Sequence, residues 1–151
     1  MAISLTKGSG SRGPAAPKPA DLDDFRLSLA NCAFDGYCPA AQFRELLEEA
    51  VSTFGLDKDL ARATVNIELE RMGVANEPLI LRELEAMLRQ FTDRDKKLDE
   101  KERIDLVQLF CKPKIGYSKG LSVKIAQEVI VDFCRQNRVK VKTGFFKWAV
   151  P

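Results

Sequence analysis

Histidine is absent from this chain of 151 residues, and its absence excludes much of enzyme chemistry. Histidine is the commonest general acid or base near neutral pH and a frequent metal ligand. Mechanisms that need a Ser-His or Cys-His pair are therefore excluded, as are metal sites held by imidazole. Carboxylate and lysine chemistry stay open, but no motif assigns a catalytic residue. We expect a protein that is not an enzyme.

Nucleotide-binding motifs and long apolar runs are also missing. The sequence contains neither a GxxxxGK[ST] phosphate loop nor a GxGxxG fingerprint, so we expect no bound nucleotide. No apolar run approaches the ~20 residues that cross a bilayer, and residues 1–5 are too short for the hydrophobic stretch of a signal peptide. These features predict a cytoplasmic protein without membrane insertion.

The four cysteines show no CxxC spacing, so neither a zinc site nor a disulfide framework is indicated. They fall mostly within apolar helical patterns, which predicts reduced and partly buried thiols. Cys32 and Cys38 leave one alternative open, because they could meet across a turn as a redox-active or metal-holding pair.

A repeated pattern is the clearest feature of the sequence that is present. Asp35 is followed by Cys38, Gln42 and Leu46 at the same distances at which Asp95 is followed by Leu98, Glu102 and Leu106. Further along, the segment from Gly55-Leu56 to Val74 matches the segment from Gly120-Leu121 to Val139 at an offset of sixty-five instead of sixty. The second copy therefore carries an insertion of about five residues around 112–118, and two such units would share one core.

The remaining pattern predicts a mostly α fold. We expect a compact bundle of about six helices with an internal two-fold repeat and a small C-terminal β-hairpin. Residues 1–20 are read as a flexible tail and 21–151 as a single domain. Within it, repeat one spans about 33–75, repeat two about 93–140 and the hairpin about 138–150.

Several residues are expected to begin or end these helices. Pro39 suits the first turn of the second helix, and Gly73 suits the left-handed position that ends the third. Asn76 is a candidate cap of the fourth helix, Asp99 with Glu102 fits a capping box, and Ser122 begins the sixth helix.

Val139 and Val141 alternate with Lys140 and Lys142, and Phe146 and Trp148 alternate with Phe145 and Lys147, which predicts the hairpin. A two-residue turn at Thr143-Gly144 would create one apolar and one basic face. In that register Val141 faces Phe146, Val139 faces Trp148, and Lys140 faces Lys147.

Charge is divided along the chain. Residues 21–110 hold 20 Asp or Glu against 12 Lys or Arg, whereas residues 112–151 hold nine Lys or Arg against two acids. The basic end with its interleaved aromatic residues suits phosphate contact and base stacking, although the acidic remainder would repel a polyanion. The candidate anion or nucleic-acid site comprises Arg135, Arg138, Lys140, Lys142 and Lys147.

The acidic turns supply hard oxygen ligands, so a divalent cation such as Ca²⁺ or Mg²⁺ is a candidate cofactor. The candidate metal ligands are Asp35, Asp93, Asp95, Asp99 and Glu102. The spacing fails the EF-hand pattern, because counting from Asp93 puts Lys97, Leu98 and Ile104 at the fifth, glycine and twelfth positions. The alternative is that Asp99 caps a helix and the other acids favour its N-terminus.

The phrase Ala33-Phe34-Asp35-Gly36 and its recurrence at Asp95, Asp99 and Glu102 resemble the duplicated pattern of the tellurite-resistance TerB-like helical domains. The likeness covers about residues 28–134, and residues 1–8 resemble the opening of TerD-family proteins. Gln42 and Lys96 depart from the pattern, which has Glu and Gly there. The resemblance implies an all-helical bacterial module of stress-response or phage-defence systems that acts through partners, sometimes with metal in its acidic turns.

These observations favour a non-enzymatic protein-interaction or adaptor module. The alternatives are a divalent-metal-binding helical domain, and phosphate or nucleic-acid binding by the basic C-terminal region. Fold likeness alone does not decide among them.

Overall fold

Six α-helices make up most of the computed structural model, which describes residues 19–145 and 147–151. The helices are α1 (Pro19–Ala30), α2 (Ala40–Ser52), α3 (Lys58–Arg71), α4 (Glu77–Thr92), α5 (Glu100–Cys111) and α6 (Val123–Asn137). Short strands lie between or after them: β1 (Tyr37–Cys38), β2 (Ala75–Asn76), β3 (Lys97–Leu98), β4 (Lys140–Lys142) and β5 (Trp148–Ala149). The predicted mostly α fold with a small C-terminal β element is confirmed.

Local capping explains several helix ends. The Asp57 carboxylate accepts hydrogen bonds from the first backbone N–H groups of α3, and Asp99 with Glu102 forms the predicted capping box of α5. Gly73 follows α3 in the left-handed conformation (φ 66°), as predicted. Asn76 occupies the predicted N-cap position of α4, but its side-chain amide instead donates to Asn66 Oδ1 at 2.9 Å.

The repeat is visible as two copies of one order of elements: helix, strand, helix, helix, strand. Backbone hydrogen bonds recur with it, since Ala75 N donates to Gly36 O at 2.9 Å and Lys140 N donates to Lys96 O at 2.8 Å. The strand registers agree as well, because Tyr37 pairs with Ala75 where Lys97 pairs with Lys140. The two repeats therefore share one backbone plan down to individual hydrogen bonds.

Burial follows the repeats. One cluster of buried apolar side chains lies within residues 25–74, and a second lies within residues 84–139. Equivalent positions are buried in both clusters: Ala61 and Ala126, Val65 and Ile130, Val74 and Val139. Helix α4 supplies Leu84 and Leu88 to the second cluster, and its Glu77 accepts hydrogen bonds from Tyr37 and Ala40, so it joins the two halves of the chain.

The strands were largely missed from the sequence, and the C-terminal register was wrong. Strands β1 and β2 pair in parallel, and β3, β4 and β5 form a sheet in which β4 lies between the other two. Lys142 pairs with Trp148 and Val141 with Ala149, so the turn between β4 and β5 is longer than two residues. Val139 is fully buried in the helical core and does not face Trp148, and Lys140 pairs with Lys97 instead of Lys147. Phe146, the predicted partner of Val141, lies outside the described residues.

Other boundaries differ little from expectation. Helix α1 begins at Pro19, two residues before the expected domain start, and the remainder of the predicted tail lies outside the described residues. Pro39 is the N-cap of α2 and stands one residue before its first turn. Among the described residues, no helix is both long and apolar enough to cross a membrane.

Candidate functional site

A groove of about 740 Å³ lies where the two repeats meet. Its lining comes from α3, β2 and α4 on one side, and from the end of α5 and the α5–α6 loop (residues 112–122) on the other. Eight lining side chains are apolar: Val74, Ala75, Leu79, Ile80, Ala86, Met87, Leu109 and Phe110. The volume falls in the range of ordinary ligand-binding clefts.

The α5–α6 loop forms one wall of this groove and contains the predicted insertion. It spans residues 112–122, whereas the equivalent α2–α3 connection spans only residues 53–57. The longer loop reaches the turns of repeat one. Gly116 O lies so close to Gly73 that an added Cβ would stand 2.6 Å away, and the Ser118 side chain likewise occupies the space beside Gly36. The insertion in repeat two thus covers the surface of repeat one.

Two ion pairs hold this loop. Lys119 Nζ lies 2.9 Å from Asp35 Oδ2, and Lys114 Nζ lies 3.2 Å from Glu83 Oε2 across the groove. The hydrogen bond and positive charge of Lys119 lower the pKa of the Asp35 carboxyl. Both pairs are solvent-exposed, so each contributes little to stability and can be exchanged for a partner's charge.

A buried polar network lies behind β2. Glu77, at the start of α4, accepts hydrogen bonds from the Tyr37 hydroxyl and from Ala40 N (3.3 Å), which is the first N–H of α2. Because Pro39 provides no side-chain acceptor, Glu77 serves as the cap of α2 from a neighbouring helix. Burial, followed by the hydrogen bond to Glu77, raises the pKa of Tyr37. This network fixes the position of β2 at the groove.

Asn76 is a polar lining residue of the groove and is 7% exposed. Its side-chain nitrogen donates to Asn66 Oδ1, but its own Oδ1 is buried with no hydrogen-bond partner among the residues that the structure describes. A buried acceptor without a partner costs about 1–3 kcal/mol. A hydrogen-bond donor in the groove would remove that cost.

The predicted metal ligands are not brought together. Asp99 and Glu102 bond to each other's backbone N–H, Asp95 Oδ1 accepts from Lys97 N at 3.1 Å, and Asp35 pairs with Lys119. Asp93 lies 3.9 Å from Lys96 Nζ. Within residues 19–145 and 147–151, no three His, Cys, Asp or Glu side chains form a group that could hold a metal ion. The carboxylates cap helices and pair with lysines instead.

The cysteines behave as expected. All four are free thiols; Cys38 and Cys134 are buried, whereas Cys32 and Cys111 are half-buried. Burial raises the pKa of each thiol, and that of Cys38 reaches about 11. They are therefore uncharged near neutral pH and poor nucleophiles.

The predicted anion-binding residues do not all lie together. Lys140 and Lys142 share strand β4, and Arg138 precedes it in the left-handed conformation. Arg135 is engaged elsewhere, since its Nε donates to Pro151 O at 3.0 Å and its guanidinium lies 4.0 Å from Asp132. Lys147 is exposed just before β5.

Sequence reasoning missed the groove and left Lys96 and Lys97 out of the candidate anion or nucleic-acid site. The groove depends on the α5–α6 loop meeting repeat one, a contact between distant parts of the chain. In the sequence Lys97 marks only the fifth position of the failed EF-hand count, yet its ammonium lies 5.1 Å from the Trp148 ring centre. The repeat could have indicated that Lys97 and Lys140 are neighbours, because they occupy the positions equivalent to the paired residues Tyr37 and Ala75 of repeat one.

Comparison with known proteins adds no assignment to this geometry. No protein-family model, no curated protein and no solved structure matches the chain.

Proposed function

We propose that the protein is a non-enzymatic interaction module that takes an apolar segment of a partner protein into the groove between its repeats. The observation that carries the proposal is the groove itself, with an apolar floor from α4 and β2 and a lysine-bearing wall from the α5–α6 loop. Helix-in-groove recognition uses surfaces of this kind, with apolar anchors three or four residues apart.

The composition of the floor suits an adaptable partner. Met87 and Ile80 are only half-buried, and Leu109 at the edge is 57% exposed. Methionine has a flexible and polarisable side chain that fits varied apolar surfaces. Covering these side chains would remove apolar area from water, at about 25 cal/mol per Å².

The charges of the groove define the partner further. Lys112, Lys114 and Lys119 line the α5–α6 loop side, and the carboxylates that hold two of them are exposed and replaceable. We therefore expect an apolar peptide with acidic residues flanking its anchors on that side. A peptide N–H could also satisfy Asn76 Oδ1. The TerB-like resemblance, with its implied bacterial stress-response role through partners, points to the same class of function.

The test is selection of short peptides from a display library on the intact protein. Binders should carry apolar anchors at helical spacing with flanking acids, and Leu109→Arg should weaken them by about tenfold or more, as expected for a charge placed in an apolar contact. Leu27→Arg is the matched control, since Leu27 is 63% exposed on α1 and does not line the groove.

Either of two results would count against the proposal. One is a selection that enriches no peptide. The other is a set of peptides whose affinity is the same for the Leu109→Arg and wild-type proteins.

A further inference from the structure

The segments around paired strands β3 and β4 of repeat two carry cations. The equivalent segments around β1 and β2 of repeat one carry none at the same positions. The residues equivalent to Gly36 and Tyr37 are Lys96 and Lys97. The residues equivalent to Gly73, Ala75 and Glu77 are Arg138, Lys140 and Lys142. The inward positions stay uncharged in both, as Cys38 and Leu98 or Val74 and Val139 show. The difference is therefore confined to the outward-facing surface.

The exposure of this surface also differs between the repeats. None of the five positions in repeat one is exposed, and two of them lie under Gly116 and Ser118 of the α5–α6 loop. All five cations of repeat two are exposed. The surface that the chain covers for itself in repeat one is open in repeat two.

Strand pairing places three lysines and the Trp148 ring on one face of the sheet. Leu98 and Val141 pair on the inner face, so Lys97, Lys140 and Lys142 point to the outer face. Trp148 pairs with Lys142 and therefore shares that face, and Lys97 stands over its ring. We call Lys96, Lys97, Arg138, Lys140, Lys142 and Trp148 the repeat-two loop surface.

This arrangement is unfavourable for the isolated protein. Lys97 and Lys140 are like charges on paired strands, which destabilise a sheet. In the described part of the chain no carboxylate forms an ion pair with Lys97, Lys140 or Lys142. Lys96 and Arg138 also adopt left-handed conformations (φ 55° and 54°) that repeat one gives to glycine. Repeat one shows that the backbone needs none of these cations.

We propose that the repeat-two loop surface binds single-stranded nucleic acid, with its cations on the phosphates and Trp148 stacked against a base. Two carboxylates, Asp93 and Asp95, belong to the same loop, but Asp95 accepts the Lys97 backbone N–H and Asp93 faces Lys96. An aromatic ring among lysines favours nucleic acid over an acidic protein, because base stacking and phosphate contact act together on single strands.

The test uses a fluorescently labelled oligodeoxythymidylate and the full chain, followed by anisotropy at several salt concentrations. Trp148 is the only tryptophan, so its fluorescence should be quenched in step with binding. The triple variant Lys97→Gln/Lys140→Gln/Lys142→Gln should bind about tenfold or more weakly, with a slope of log affinity against log salt shallower by roughly two. Trp148→Ala should lose about tenfold in affinity while keeping the salt slope.

A second triple variant, Lys58→Gln/Lys101→Gln/Lys124→Gln, removes the same charge from other exposed positions and should bind within about twofold of wild type. Thermal unfolding of each variant confirms that it is folded. Equal losses in both triple variants would overturn the proposal, as would no binding at low salt. Polyglutamate that competes as well as the oligonucleotide would assign the surface to an acidic protein instead. These probes do not depend on the groove, so this proposal and the peptide-binding proposal fail separately.

Discussion

Repeat one and repeat two have the same backbone plan, but their outward positions differ in exposure and in charge. In both, a short strand follows a left-handed turn and pairs in parallel with a second short strand, and the inward side chains are apolar or otherwise uncharged. Outward, repeat one presents half-buried glycines, a tyrosine and a buried glutamate, whereas repeat two presents five exposed cations.

This comparison separates the residues that build the fold from those that are free to differ. Equivalent buried positions such as Ala61 and Ala126 are constrained by packing, since close-packed interiors tolerate little change in volume. The outward positions carry no such constraint in repeat two. We therefore expect substitutions at equivalent sites to affect stability in repeat one and binding in repeat two.

The largest expected contrast is between Glu77 and its equivalent Lys142. Glu77→Ala leaves the Tyr37 hydroxyl and the Ala40 N–H without their acceptor, which should lower the free energy of unfolding by about 3 kcal/mol. Lys142→Ala removes an exposed side chain and should change it by no more than about 0.5 kcal/mol. Denaturant unfolding measures both, and similar losses in the two variants would break the comparison.

The next contrast concerns the left-handed positions. Gly73→Ala forces a Cβ to within 2.6 Å of Gly116 O at φ 66°, and should lower the free energy of unfolding. We expect a loss of about 2 kcal/mol, which combines backbone strain with displacement of the α5–α6 loop. Arg138→Gly relieves strain at the equivalent position and should raise the free energy of unfolding by roughly 0.5 kcal/mol.

Thermal or denaturant unfolding of both variants decides this contrast. Destabilisation by Arg138→Gly would show that the arginine side chain supports the fold, which contradicts the division proposed for the two repeats.

The smallest effect should come from the ion pair between Asp35 and Lys119. Because Lys119 lowers the pKa of Asp35 below its ordinary value of 3.8, the pair stabilises the fold above that pH. The stabilisation is lost as pH falls through the folded-state pKa. Asp35→Asn should therefore lower the melting temperature slightly near neutral pH, and the difference should vanish at the acid end and at high salt.

The effect stays small because the Asp35 side chain is 95% exposed. Lys119→Gln is the control and should produce the same pH dependence. A difference that persists at acid pH would show that Asp35 acts through something other than this pair.

The helices and the repeat could be predicted because their signals are local and periodic. The capping box at Asp99 and Glu102 and the glycine end at Gly73 follow from residues a few positions apart. The offset between the copies also located the insertion that became the long α5–α6 loop.

The strands and the groove could not be predicted for the opposite reason. A two-residue strand is too short to show alternation, and the pairing of Lys97 with Lys140 joins residues far apart in the chain. The hairpin register failed because Val139 is buried with the helices, which shifts the pairing of β4 and β5. The candidate metal ligands are not gathered among the described residues, because these carboxylates have nearer partners in backbone N–H groups and lysines.

The most direct test transplants four of the five outward residues of repeat one into repeat two. The variant Lys96→Gly/Lys97→Tyr/Arg138→Gly/Lys140→Ala should melt at or above the wild-type temperature, because repeat one shows that this backbone accepts those residues. It should also lose measurable binding to the oligodeoxythymidylate, while Arg44→Gln/Lys58→Gln/Lys101→Gln/Lys124→Gln, with equal charge removed, retains it. A transplanted protein that fails to fold, or that binds as wild type does, would contradict the account.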